Sequence, residues 1–270
     1  MSDFRLTIIQ TDPAWMDVGT NNCNVRDLCR EVGETDLIVL PEMFSTGFVT
    51  DPTGGVEPDG GKSLALMKEI ASAKDAAVAG SVAVEDTATG TFRNRFYFVT
   101  PGGGVRFYDK HHLFTYSGEH HRYTAGQQRV VVPWRGVRIL LQVCYDLRFP
   151  VFSRNCLLKD GTADYDLALY VASWPESRIG AWDALLKARA IENQCYLAAV
   201  NRVGEDPGNR YPGHSQILGP KGETLAVCRE SEVSVVTQTL SMDDLLAFRG
   251  KFPVLADADG PQDDSDVYLK

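Results

Sequence analysis

Short apolar runs alternate with helix-period segments along this chain, and that alternation constrains its fold most. Residues 4–10, 37–40, 76–84, 167–172 and 196–201 read as buried strands, too short for helices and rich in β-branched side chains. Between them, residues 24–32 place Val25, Leu28, Cys29 and Val32 on one helical face. Residues 63–74, 152–158 and 181–194 predict further helices. Hairpins are expected where turn residues separate apolar runs. They join 92–100 to 104–108 around Thr100-Pro-Gly-Gly-Gly104, 130–133 to 137–143 around Trp134-Arg-Gly136, and 214–218 to 223–227 around Gly219-Pro-Lys-Gly-Glu223. A last strand is expected at 233–239.

Strands and helices recur in this order in both halves, which implies an α/β fold with helices covering stacked sheets. With 270 residues, of which 44% are hydrophobic, the chain has enough length for a large core. A single domain over 1–270 is expected, with a polar extension from about Asp257, where Asp, Gly and Pro accumulate. The net charge of −9 argues against a nucleic-acid or anionic-membrane partner. No apolar run reaches the length of a membrane span, and the start MSDFRLTIIQ has no leader pattern. Six cysteines are scattered without a CxxC pair, which points to reduced thiols in a cytoplasmic protein.

Polar groups follow three of the apolar runs. Glu42 ends LIVLPE, Lys110 ends RFYDK, and Cys144 ends ILLQVC. In open α/β sheets, functional groups gather at the carboxyl ends of strands. Each residue alone has a plainer reading: Glu42 as a helix-start or surface carboxylate, Lys110 as a solvated lysine, Cys144 as a small core hydrophobe. Together they offer a base, a cation and a nucleophile.

The surrounding words decide between these readings. Pro41-Glu-Met-Phe-Ser-Thr-Gly-Phe48, Tyr108-Asp-Lys-His-His-Leu-Phe114, Cys144-Tyr-Asp-Leu-Arg-Phe-Pro150, Ala172-Ser-Trp-Pro175 and the segment GHSQILGPKGE together resemble the nitrilase, or carbon–nitrogen hydrolase, superfamily. The resemblance spans nearly the whole chain and is strongest to the ω-amidase branch. It implies a four-layer α-β-β-α sandwich and a catalytic set of Glu42, Lys110 and Cys144, with Glu119 as a second glutamate. It also implies a homodimer built on the helices near Cys144 and the segment RAIENQ.

Amide hydrolysis needs these residue types. The nucleophile is a thiolate, a minor species near neutral pH unless a base assists. Glu42 would take the thiol proton, pass it to leaving ammonia, and later activate water. Lys110 and the backbone N–H of Tyr145 would meet the tetrahedral oxyanion. Glu119 would orient Lys110 or the substrate amide, or simply neutralise Lys110. Trp174, Pro175, Phe44 and Phe114 are candidate pocket walls. Arg148 and Arg178 are candidate partners for a substrate carboxylate, since a guanidinium fork suits one. The expected substrate is a small 2-oxo acid monoamide such as 2-oxoglutaramate or 2-oxosuccinamate, with no cofactor.

Three rivals remain at this stage. Another amidase or carbamoylase branch would keep the same residues with a different pocket. The histidine pairs His111-His112 and His120-His121 suggest a metal site or a Cys–His hydrolase, against which stands the opposite facing of adjacent residues on a strand. A nitrilase-fold binding module without activity is the last. His214 in GHS, and Arg189 with Glu192 at i, i+3, read as architecture.

Overall fold

In the computed structural model, residues 3–53 and 55–258 are described. The polar extension therefore lies mostly outside the described residues. The first half builds one sheet and its cover: β1 (Phe4–Gln10), α1 (Val18–Glu31), β2 (Leu37–Val39), β3 (Glu57–Pro58), α2 (Lys62–Lys74), β4 (Ala77–Asp86), β5 (Thr91–Val99) and β6 (Val105–Asp109). The second half adds β7 (Val131–Trp134), β8 (Val137–Val143), α3 (Pro150–Ser153), β9 (Leu167–Ala172), α4 (Ile179–Glu192) and β10 (Tyr196–Asn201). It continues with β11 (Val203–Glu205), β12 (Arg210–Pro212), β13 (Gln216–Leu218), β14 (Thr224–Val227), β15 (Ser234–Leu240) and α5 (Met242–Lys251).

Strand order is β15-β1-β2-β4-β5-β6 in the first sheet, with β3 beside β4, and β14-β13-β10-β9-β8-β7 in the second. The central pairs β1–β2, β2–β4, β8–β9 and β9–β10 are parallel. Such strands are buried on both faces and read as continuous apolar runs. In the first sheet, Leu6, Ile8, Leu37, Val39, Ala77, Ala79, Phe96 and Phe98 point inward and join a core shared with the second sheet. Ile9, Ile38, Leu40, Val78, Tyr97 and Val99 point outward, under Val25, Cys29, Met67 and Ile70 of α1 and α2. On the far side, Trp182, Leu186 and Ala190 of α4 pack on the second sheet. Four layers result, α-β-β-α, as the resemblance implied.

The hairpins stand where the turn residues put them. Arg135 and Gly136, both at positive φ, close the two-residue loop between β7 and β8, the mirror-image turn that suits the twist of paired strands. Several boundaries differ. α1 begins at Val18, where Asp17 caps it by accepting from the Thr20 N–H at 3.0 Å. The expected helix at 152–158 is instead the single turn of α3, ending at Ser153. Beyond it, buried Asn155 offers the backbone other partners. Its side chain donates to the carbonyls of Tyr165 at 3.0 Å and Asn193 at 2.9 Å, and its own N–H goes to Asn193 Oδ1 at 2.8 Å. Cys156, expected on that helix, lies past its end and is partly exposed. No helix among the described residues is long and apolar enough to cross a membrane.

Candidate active site

The carboxyl ends of β2, β6, β8 and β9 converge at one end of the sandwich. Cys144 follows β8 directly and opens a tight helical turn, residues 144–148, at φ 47°. A non-glycine residue rarely takes this left-handed conformation, which costs of the order of 1–3 kcal/mol unless its surroundings impose it. Asp146 imposes it here. Fully buried, its carboxylate accepts from Val143 N–H at 2.9 Å, Tyr108 O–H at 2.8 Å and His112 N–H at 3.0 Å, with His112 Nδ1 at 2.8 Å. These bonds tie the turn that carries Cys144 to the segment that carries Lys110. From the helix side, Arg189 donates to the Leu147 carbonyl at 2.7 Å while pairing with Glu192 at 3.0 Å.

Glu42, Lys110 and Glu119 form a buried cluster. Lys110 Nζ lies 2.9 Å from Glu42 Oε1 and 2.9 Å from Glu119 Oε2. Asn94 on β5 donates from Nδ2 to Glu42 Oε1 at 2.8 Å and to Glu119 Oε1 at 3.3 Å. The Ser173 N–H, just past β9, binds Glu42 Oε2 at 2.8 Å, and the Phe114 N–H binds Glu119 Oε2 at 2.6 Å. Burial alone would neutralise Lys110, but Glu119 and then Glu42 hold its pKa above the ordinary lysine range, so it stays a cation. Burial and the neighbouring Glu42 push the Glu119 carboxyl up against the pull of Lys110. The Cys144 thiol is pushed well up by burial and then by the charge of Glu42, while Lys110 opposes. At rest it is a neutral thiol.

Cys144 is 9% exposed and lies on a cleft of about 510 Å³. Tyr145, Arg148, Phe114, Trp174, Pro175 and Arg178 line it. Phe44 does not. It faces outward into the core beneath α1 and α2, and Phe48, past the sharp bend at Gly47, lines the cleft in its place. The Lys110 ammonium lies 5.2 Å from the Phe48 ring centroid. Arg148 stacks over Trp174 at 4.9 Å, and Arg178 over Phe114 and Tyr116 at 5.3 and 5.7 Å. Neither arginine has a carboxylate partner among the described residues.

The histidine pairs do not sit on strands, so the opposite-face argument does not apply to them. His111 and His112 follow β6 with rings 4.5 Å apart, and His120 and His121 lie on a short turn with rings 3.8 Å apart. His111 Nδ1 contacts the Gly126 carbonyl at 2.7 Å and His112 Nδ1 contacts Asp146, so both rings brace loops. His214 pairs with Asp183 at 2.9 Å.

Reading the sequence overlooked Asn94, Asp146, and the β11–β12 hairpin, whose tip Asp206-Pro-Gly-Asn209 lines the cleft. The tip carries an evident turn signal. The Asp206 carboxylate is fully engaged, accepting from the Gly208 and Asn209 N–H groups at 2.8 and 2.7 Å and from the Tyr211 hydroxyl.

The sequence pattern of the carbon–nitrogen hydrolase family matches residues 5–249. An omega-amidase, YafV, of Yersinia enterocolitica is 45% identical over 96% of this chain and 98% of its own length. A 2-oxoglutaramate amidase of Bacillus subtilis is 33% identical over 84% of this chain and 86% of its own. A crystal structure of a CN-hydrolase superfamily protein from Xanthomonas campestris, with an arsenic adduct in its active site, superposes with a TM-score of 0.93. It is 40% identical over 96% of this chain and 98% of that one.

Proposed function

The chain belongs to the carbon–nitrogen hydrolase family, and on that premise we propose that it hydrolyses the terminal amide of small 2-oxo acid monoamides, 2-oxoglutaramate or 2-oxosuccinamate, through an acyl-enzyme on Cys144. One observation carries the reading. A buried thiol, carboxylate and ammonium cluster opens on a cleft where two guanidinium groups have no carboxylate partner among the described residues.

The chemistry follows from the charges. Glu42 takes the Cys144 proton as sulfur attacks the amide carbon, so no free thiolate accumulates in the buried site. The oxyanion that develops meets the Lys110 ammonium and the backbone N–H of Tyr145. Such donors, already fixed in place, are each worth roughly 3–4 kcal/mol to a transition state. Glu42 then protonates the amide nitrogen, the C–N bond breaks and ammonia leaves. A water gives its proton to Glu42 and attacks the thioester. The C–S bond breaks, the 2-oxo-dicarboxylate departs, and sulfur recovers its proton. Glu119 keeps the Lys110 ammonium aimed and charged.

Arg148 and Arg178 hold the carboxylate remote from the scissile amide. Because the protein is acidic overall, attraction must come from such local cations. Ammonia release across oxo-acid amides, glutamine, asparagine, carbamoyl amino acids, neutral amides and nitriles tests the reading. Fastest turnover is expected for the oxo-acid amides. Equal rates on butyramide and 2-oxoglutaramate would remove the carboxylate pocket, and a preferred nitrile would move the protein to another branch.

Assembly as a homodimer belongs to the same reading. Val151 on α3 and Ile191 on α4 are 89% and 51% exposed, apolar positions suited to a partner copy. A monomer mass by light scattering would remove it.

A further inference from the structure

Two carboxylates and one ammonium are buried together, so this cluster holds more negative than positive charge when both acids are ionised. Neutral donors must stabilise the excess. Asn94 is the one side chain among the described residues that gives both hydrogens of a neutral group to the two acids, at 2.8 Å to Glu42 and 3.3 Å to Glu119. Its backbone carbonyl also accepts from the Lys110 N–H at 2.9 Å, which fixes where the ammonium starts.

The orientation of the amide is unambiguous. Turned over, Asn94 would set its carbonyl oxygen against two carboxylates. As built, that oxygen is buried and has no partner among the described residues. The amide is therefore held for its donors, at the expense of its acceptor.

The two oxygens of Glu42 then differ. Oε1 accepts from Lys110 and from Asn94, which uses both of its lone-pair directions. Oε2 accepts from the Ser173 N–H and keeps one direction open. We propose that Asn94 is a positioning residue for the reaction: by occupying Glu42 Oε1 together with Lys110 it leaves Oε2 as the oxygen that takes the Cys144 proton. The inference rests on Glu42 being the base for Cys144. The other titratable groups facing Glu42 are Lys110, Glu119 and Cys144, with the phenols of Tyr123 and Tyr211 further out. The two phenols and the thiol are pushed up and stay neutral at neutral pH, so the donors that act on Glu42 are those named.

The test uses iodoacetamide on the intact protein, reading Cys144 modification by peptide mass against pH. It needs no substrate, so it stands apart from which amide the enzyme hydrolyses. In the unaltered protein the rate is expected to fall on the acid side, where the base for Cys144 is lost. Asn94→Leu keeps the volume and removes both donors. It is expected to move that limb upward by about one pH unit, a tenfold slower reaction at a fixed pH on the limb. Asn94→Ser keeps one hydroxyl donor and is expected to move it less. A purely structural role would change the yield of folded protein without moving the limb. If Asn94→Leu does not fold, the Asn94→Ser limb decides alone. A limb within about 0.2 unit of the unaltered protein in the variant that folds would overturn the proposal.

Discussion

Replacing Asp146 by Ala should unfold the nucleophile turn before it unfolds the sheets. Its carboxylate receives four bonds from three residues, and all of its oxygen surface is buried. Truncation leaves the Val143 N–H, the Tyr108 hydroxyl and the His112 N–H without an acceptor. At about 1 kcal/mol for each bond lost, the four together come to about 4 kcal/mol. A water entering the vacated space recovers up to two of them, which sets a range of about 2–4 kcal/mol. That is a large part of the stability of an ordinary domain, about 5–15 kcal/mol. Asp146→Asn keeps the shape but turns an N–H donor toward Val143 or His112, and should cost about half as much. The assay is urea unfolding followed by tryptophan fluorescence, with kcat and KM measured on the folded fraction. Turnover should fall further than binding weakens, because Asp146 holds the posture of Cys144 and does not line the cleft. An Asp146→Ala protein within about 0.5 kcal/mol of the parent, with unchanged kcat, would refute the reasoning.

Cys144→Ala should fold and release no ammonia; near-normal turnover would end the mechanism. Among the six thiols, Cys144 should be alkylated fastest, ahead of exposed Cys23 and part-exposed Cys156, as peptide mass mapping would read. Lys110→Met should lower kcat far more than it raises KM, since in the proposed mechanism its charge meets an oxyanion present only along the reaction path. Arg178→Ala and Arg148→Ala should raise KM for an oxo-acid amide tenfold or more, about 1.4 kcal/mol, and leave a neutral amide unaffected. Burial raises the Cys29 and Cys195 thiols from 9.0 to about 12. Their stabilisation is complete below about pH 9 and is lost as pH rises towards 12, because the unfolded thiols ionise first. Unfolding free energies measured in urea should therefore fall over that window, by about 1.4 kcal/mol per pH unit for each thiol. An equal slope in Cys195→Ala would contradict this.

The parts of the fold that were legible are those where one strand is buried on both faces or a turn is written in glycine. Periodicity alone found β1, β4, β8, β9 and β10, and the Arg135-Gly136 turn fixed the register of β7 on β8. Helix ends were harder to find, because single side chains decide them. Asp17 starts α1 about two turns before its apolar stripe, and Asn155 stops α3 after one turn. α5 was missed although Ser241 caps it and Asp243 and Asp244 follow, since its apolar face is narrow. In the site, Glu42, Lys110 and Cys144 stood out because each ends a strand. Asn94 did not, because it lies within a strand whose inward neighbours are Phe96 and Phe98. Phe44 was misplaced because the bend at Gly47 sends Phe48, and not Phe44, to the cleft.

The pairing of β15 with β1 has a consequence for how the protein is made. Phe4 to Gln10 lie against Leu240 to Ser234, so during synthesis β1 waits for β15, the far larger part of the sequence lying between them. Until residue 240 emerges, β1 is the bare edge of a growing sheet, with Leu6, Ile8 and Ile9 on it and no charge after Arg5 to discourage a second chain. Contacts this distant in sequence slow folding and prolong such exposure. Chains shortened before Ser234 should therefore be recovered as aggregates even though every residue of the thiol, carboxylate and ammonium cluster is present, and supplying the missing strand as a peptide during synthesis should bring part of them back.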